Sequence, residues 1–158
     1  MTDQDQKFMR QAIRLAEQGM AAGDGGPFGA VIVRAGEVLG SGWNRVLATN
    51  DPTAHAEIVA IRDACRRTGS YWLAGSVIYV NCEPCPMCLA AIHWARIGAL
   101  NFAATRKDAA AIDFADADIY REVCRSPEER ALSTRQFLRD EAVEVMRRWQ
   151  SLAGRRPY

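Results

Sequence analysis

At 158 residues the chain can bury a core that needs no disulfide or structural metal to hold it. A formal net charge of +1 weighs against a broadly basic nucleic-acid binder, although Arg147, Arg148, Arg155 and Arg156 could form a local basic patch. No apolar run approaches a bilayer span, the amino end lacks the layout of a signal peptide, and the cysteines are odd in number with three crowded together. The expectation is a soluble, cytoplasmic protein that uses cysteine for metal binding in a reducing compartment rather than for a disulfide framework.

Phe8, Met9, Ala12, Ile13, Ala16 and Met20 recur at helical spacing and predict an amphipathic first helix, ended by Gly19, Gly23, Gly25, Gly26 and Pro27. Phe28 to Val33 and Glu37 to Trp43 read as two strands of a hairpin turning at Ala35-Gly36. Asn44 to Pro52 reads as a loop. Asp51 is the expected N-cap, with Pro52 at the first position of a helix running to about Thr68 and stopped by Gly69. Ser76 to Asn81 is a β-branched and aromatic strand. A short helix follows over Pro86 to Arg96, then a strand over Ala99 to Ala104. This order predicts an α/β domain with helices packed on a mixed sheet. Beyond Thr105 an Ala/Asp-rich connection, partly helical, leads to a capping box at Ser126-Pro127-Glu128-Glu129. Phe137, Leu138, Ala142, Val145, Met146, Trp149 and Leu152 mark a final amphipathic helix.

The chemistry concentrates in His55-Ala56-Glu57 and Pro84-Cys85-Pro86-Met87-Cys88. Cys85 and Cys88, three residues apart on a first helical turn, project their sulfurs from one face. A helix N-terminus lowers thiol pKa, and the thiolate is the metal-binding form. Two thiolates and an imidazole suit Zn²⁺, and three protein ligands leave a position for water, as catalytic zinc requires. Two thiolates offset the metal's charge, so a neighbouring base becomes valuable, and Glu57 is the candidate. Residues two apart inside an α-helix point to nearly opposite sides, so His55 and Glu57 share a site only if the metal lies off the helix end. H-x-E…P-C-x-x-C is the known signature of the zinc deaminases, and the assignment rests on that pattern.

Cys82, Cys85 and Cys88 run at intervals of three, which keeps a closed, structural Cys₃His site as the alternative. Cys65, Cys124 and His93 read as packing or ordinary helix residues.

At these motifs the sequence resembles the cytidine-deaminase-like superfamily and, more narrowly, its bacterial guanine deaminase family. The matching stretches are Pro27-Phe28-Gly29-Ala30-Val31, Asp51-Pro-Thr-Ala-His-Ala-Glu57 and Cys82-Glu-Pro-Cys-Pro-Met-Cys-Leu89. Trp94-Ala-Arg96, Asp113 to Tyr120, Pro127-Glu-Glu-Arg130 and the terminal Tyr158 match as well. The resemblance implies a three-layer α/β/α fold with a mixed central sheet, one deaminase domain over residues 1–158, and one Zn²⁺ per subunit. It also implies a homodimer that exchanges the segment from about residue 120 to 158, which would carry Tyr158 into the partner's site.

By the same resemblance His55, Cys85 and Cys88 hold the metal, and Glu57 and Asp116 are catalytic. Phe28, Asn44, Ala56, Trp94 and Tyr158 bind the substrate, with Phe28 and Trp94 flanking the purine. Asp118 is the alternative to Asp116, and Cys82 stands where a small hydroxyl residue is expected. The implied reaction is hydrolysis of guanine to xanthine and ammonia, with Glu57 carrying the protons. The competing readings are a tRNA adenosine deaminase, a deaminase of cytosine or triazine-type rings, and a zinc-stabilised binding module. The near-zero charge disfavours the first, and Glu57 disfavours the last.

Overall fold

A computed structural model describes residues 2–157, so Tyr158 lies outside the described residues. The chain divides into two units, the first running to Tyr120 and the second beginning at Arg121.

The first unit is built on a four-stranded mixed sheet in the order β2-β1-β3-β4, from β1 (Gly29–Arg34), β2 (Glu37–Trp43), β3 (Val77–Cys82) and β4 (Ala99–Ala104). β1 pairs antiparallel with both β2 and β3, whereas β3 and β4 run parallel. The β1–β2 hairpin turns through Ala35 and Gly36, both at positive φ (49° and 82°), which suits the right-handed twist of the flanking strands.

Side chains alternate across a strand, and here the alternation divides the core in two. Val31, Val33 and Tyr79 face one way, onto Phe8 and Ala12 of α1 (Asp3–Ala21). Ala30, Ile32, Ile78 and Val80 face the other, onto α3 (Ala56–Thr68) and α4 (Pro86–Trp94). The result is the expected α/β/α layering. On the second face helix and strand approach to backbone distance. A Cβ on Gly40 would lie 2.4 Å from the Ala64 nitrogen and 2.7 Å from the Ala60 oxygen. Glycine in β2 opposite alanine in α3 is therefore what seats the helix.

Two boundaries differ from the sequence reading. A short helix, α2 (Val46–Thr49), interrupts the expected loop after Asn44. The following helix begins at Ala56 rather than Pro52, because Asp51 Oδ1 accepts from the Thr53 backbone N–H (2.8 Å) and hydroxyl (2.7 Å), closing a local turn. His55, extended at φ −67° and ψ 157°, becomes the N-cap instead. After β4 come α5 (Arg106–Ala110), opened by a capping box from Thr105, and α6 (Ala117–Val123).

In the second unit the Glu122 carboxylate accepts from the Ala131 N–H (2.9 Å) and pairs with Arg125 (2.9 Å). Ser126 caps a single 3₁₀ turn at Pro127–Glu129, where the sequence placed a capping box. α7 (Arg139–Gln150) is the expected final amphipathic helix and has no buried residue.

Candidate active site

Both ligand-bearing segments meet at helix starts. His55 is the N-cap of α3, and Cys85 is the N-cap of α4, with Pro86 just inside the helix and Cys88 in its first turn. The His55 Nδ1 lies 3.5 Å from the Cys85 sulfur and 3.5 Å from the Cys88 sulfur. A tetrahedral zinc with bonds of about 2.3 Å to sulfur and about 2.05 Å to nitrogen holds such ligand atoms about 3.6 Å apart. The three donor atoms all lie within 4.8 Å of one another, the only such group among the described residues. The donor set fits zinc, and it fits through Nδ1.

The electrostatics follow from this clustering. A hydrogen bond from the buried Cys88 thiol, with further help from His55, lowers the Cys85 thiol to about 4. The same bond, together with burial, pushes Cys88 upward. The contact with Cys85 holds the His55 imidazole above its ordinary value against the opposing effect of burial. Glu57, only 7% exposed, hydrogen-bonds Cys88, and burial lifts its carboxyl above the usual range. The spacing problem of His55 and Glu57 is resolved by the cap. Because His55 is extended rather than helical, residues two apart can converge on one point beyond the helix end.

Cys82 does not complete a fourth corner. Its thiol points to the Thr105 carbonyl at 3.6 Å, and burial pushes it up to about 11. The structural Cys₃His alternative therefore lacks its fourth donor.

Beside the three donors lies a cavity of about 400 Å³, within the range of small-ligand sites. Phe28, Asn44, Ala56, Glu57 and Asp116 all line it, as do His55 and Cys85. Asp118 is not among the lining residues and is exposed, whereas burial raises the pKa of Asp116. Asn44 is 4% exposed, and its Oδ1 accepts the Gly26 (3.3 Å) and Val46 (3.2 Å) backbone N–H groups. The carbonyl end of the amide is thus committed to the loop, which leaves its NH₂ end as a donor. Trp94 stands apart: it ends α4, is 63% exposed, and does not line the cavity. His93 is also exposed and does not line the cavity, and Cys124 is exposed in the second unit.

Sequence reading missed Asn81 and Phe114. Asn81 clamps the Phe28 segment at both ends, accepting from the Gly29 N–H (2.8 Å) and donating to the Pro27 carbonyl (2.8 Å). Phe114 meets Phe28 edge to face. An asparagine at the end of an apolar strand is the only local hint of the first, and Phe114, though inside the matching stretch Asp113 to Tyr120, has no spacing that ties it to Phe28.

No helix among the described residues is long and apolar enough to cross a membrane. Residues 2–104 match the family described as the cytidine and deoxycytidylate deaminase zinc-binding region. The chain is 46% identical over 151 residues to a guanine deaminase of Bacillus subtilis, spanning 96% of this chain and 97% of that one. A crystal structure of guanine deaminase from that organism superposes with a TM-score of 0.94 at 44% identity, covering 100% of this chain and 99% of that one. Guanine deaminase from Nitrosomonas europaea is more distant, at a TM-score of 0.65 and 32% identity over 69% of this chain and 63% of that one. A tRNA-specific adenosine deaminase of Haemophilus influenzae is 45% identical, but over 102 residues covering only 64% of this chain and 58% of its own. With its metal donors converged and residues 2–104 matched to the zinc-binding region, this chain belongs to the cytidine and deoxycytidylate deaminase zinc-binding family.

Proposed function

We propose that this chain hydrolyses guanine to xanthine and ammonia. The observation that carries the reading is an open His55-Cys85-Cys88 donor set with a buried carboxylate, Glu57, beside it on the wall of a purine-sized cavity. The near full-length identity to a guanine deaminase supports guanine over other rings.

His55, Cys85 and Cys88 would hold zinc, which would supply the Lewis acidity that makes water a nucleophile near neutral pH. Glu57 takes a proton from the attacking water. It passes that proton to the ring nitrogen, then takes the second from the hydroxyl of the tetrahedral adduct and hands it to the amine as the C–N bond breaks, and its raised pKa suits both accepting and returning them. Phe28 supplies an aromatic face for the base, Asn44 donates from its amide to a ring acceptor, and Asp116 accepts from the N–H edge and helps move protons. Ala56, buried at the first turn of α3, lets the ring approach the helix end closely.

We read the working form as a cytoplasmic homodimer in which the segment from about residue 120 is exchanged and Tyr158 enters the partner's site. The amphipathic, unburied α7 supports that reading.

The test is ammonia release by zinc-loaded protein offered guanine, adenine, cytosine or tRNA. Release confined to tRNA overturns the substrate assignment. Glu57→Gln should cut kcat by about 10²–10⁴-fold with zinc retained. Normal turnover by that variant would overturn the proton path.

A further inference from the structure

Phe28 is the proposed wall for the purine, yet it is only partly buried and needs something to hold its ring. Its packing on the core accounts for one side. Against it stands Phe114, with ring centroids 5.0 Å apart and planes at 88°. Phe114 is itself 45% exposed and lines the cavity, so the core does not explain its position.

The backbone around Phe114 is shaped for this contact. Its N–H donates to the Ala109 carbonyl (3.1 Å), and Asp113 turns the chain out of α5 in the left-handed region at φ 69°. That conformation is uncommon for a residue with a side chain.

The other half of the arrangement is Gly26. A Cβ there would lie 2.8 Å from Phe114 Cζ and 2.9 Å from Phe28 Cε2. The two rings close over the space that a side chain at this position would fill. The Gly26 N–H holds the Asn44 carbonyl at 3.3 Å, and its own carbonyl accepts the Phe28 N–H at 2.8 Å. One glycine therefore meets the aromatic pair and the amide together.

We infer that Phe114 is a positioning residue for the substrate, bracing Phe28 edge to face across a gap that only glycine at position 26 leaves open. The inference rests on the reading of Phe28 as the purine wall. Edge-to-face pairs prefer one relative orientation, so a braced Phe28 presents a fixed face to a flat ring and forfeits less rotamer freedom on binding.

The test is steady-state kinetics with guanine on the zinc-loaded full chain, read as KM and kcat separately beside bound zinc per subunit. Phe114→Ala should raise KM by about 2- to 10-fold, leaving kcat within about twofold and zinc stoichiometric. Gly26→Ala, whose methyl would meet both rings, should raise KM at least as much.

The double variant Phe28→Ala/Phe114→Ala decides the route. If Phe114 acts through Phe28, its loss adds almost nothing once Phe28 is gone. Fully multiplicative KM effects, or a fall in zinc that tracks the loss of activity, would overturn the bracing. A normal KM for Phe28→Ala alone would instead sink the purine wall, and the inference with it.

Discussion

Replacing Asn44 separates two jobs that one side chain performs. Its Oδ1 receives two backbone N–H groups, from Gly26 and Val46, at 3.3 and 3.2 Å in a site only 4% exposed. Asn44→Ala removes the acceptor from both. The bonds are long and partly buried, so the combined cost is about 2 kcal/mol, toward the middle of the range for an orphaned donor. For a chain of this size that corresponds to a Tm lower by about 4–8 °C at fixed zinc. Losing one neutral hydrogen bond to the base should raise KM by about 2- to 13-fold.

Asn44→Asp divides these effects. One carboxylate oxygen still accepts both N–H groups, so most of the thermal loss is recovered. The NH₂ that faces the cavity becomes an acceptor, and KM should remain at least as high as in Asn44→Ala. Calorimetry and guanine kinetics on the two variants provide the reading. A normal KM for Asn44→Asp would refute the argument that the loop commits the amide carbonyl and leaves only a donor for substrate.

Three further outcomes rest on contacts elsewhere in the fold. Gly40→Ala forces a methyl to 2.4 Å from the Ala64 nitrogen, so α3 must lift. Overpacking of this kind costs about 1–3 kcal/mol, and a zinc titration should show weaker binding because His55 rides on the same helix. An unchanged Tm and zinc affinity would mean the helix is not seated by that glycine.

Cys85→Ser should abolish stoichiometric zinc, whereas Cys82→Ser should retain it, since that thiol faces Thr105 rather than the donor set. Equal zinc loss in both would restore the closed-site alternative.

Asp5 is held at about 2, first by the Thr2 backbone N–H and then by the Tyr79 hydroxyl at 2.6 Å. A lowered folded pKa gives stability that is complete above the ordinary value of 3.8 and is lost as pH falls toward 2. Tyr79 is pushed up to about 12 by burial and then by Asp5, so its contribution is complete below 10.0 and is lost as pH rises to 12. Asp5→Asn should flatten the acid limb of urea midpoint against pH, and Tyr79→Phe the alkaline limb. Unaltered limbs would detach this pair from stability.

Much of the site could be read before any fold was known, and the reason is physical. Zinc selects donor types, a C-x-x-C on a first turn converges by helical geometry alone, and Pro86 announces that turn. Runs of β-branched and aromatic residues bounded by turn residues likewise marked the strands. The start of α3 was misread because Asp51 has the chemistry of an N-cap. Its oxygen bonds to Thr53 instead, a competition between two local hydrogen bonds that composition does not resolve.

What only the tertiary structure decided concerns contacts between distant segments. That His55 is extended, and so able to share a point with Glu57, depends on where the turn before it closes. That Cys82 faces Thr105, that Asp116 rather than Asp118 borders the cavity, and that Trp94 lies outside it are all matters of side-chain direction across the packed unit. The pairing of Phe28 with Phe114 is of the same kind: no spacing rule joins them, and they meet because β1 and the segment after α5 reach one end of the sheet. Residue type and short-range period are written along the chain, whereas direction is set by packing, which the chain specifies only collectively.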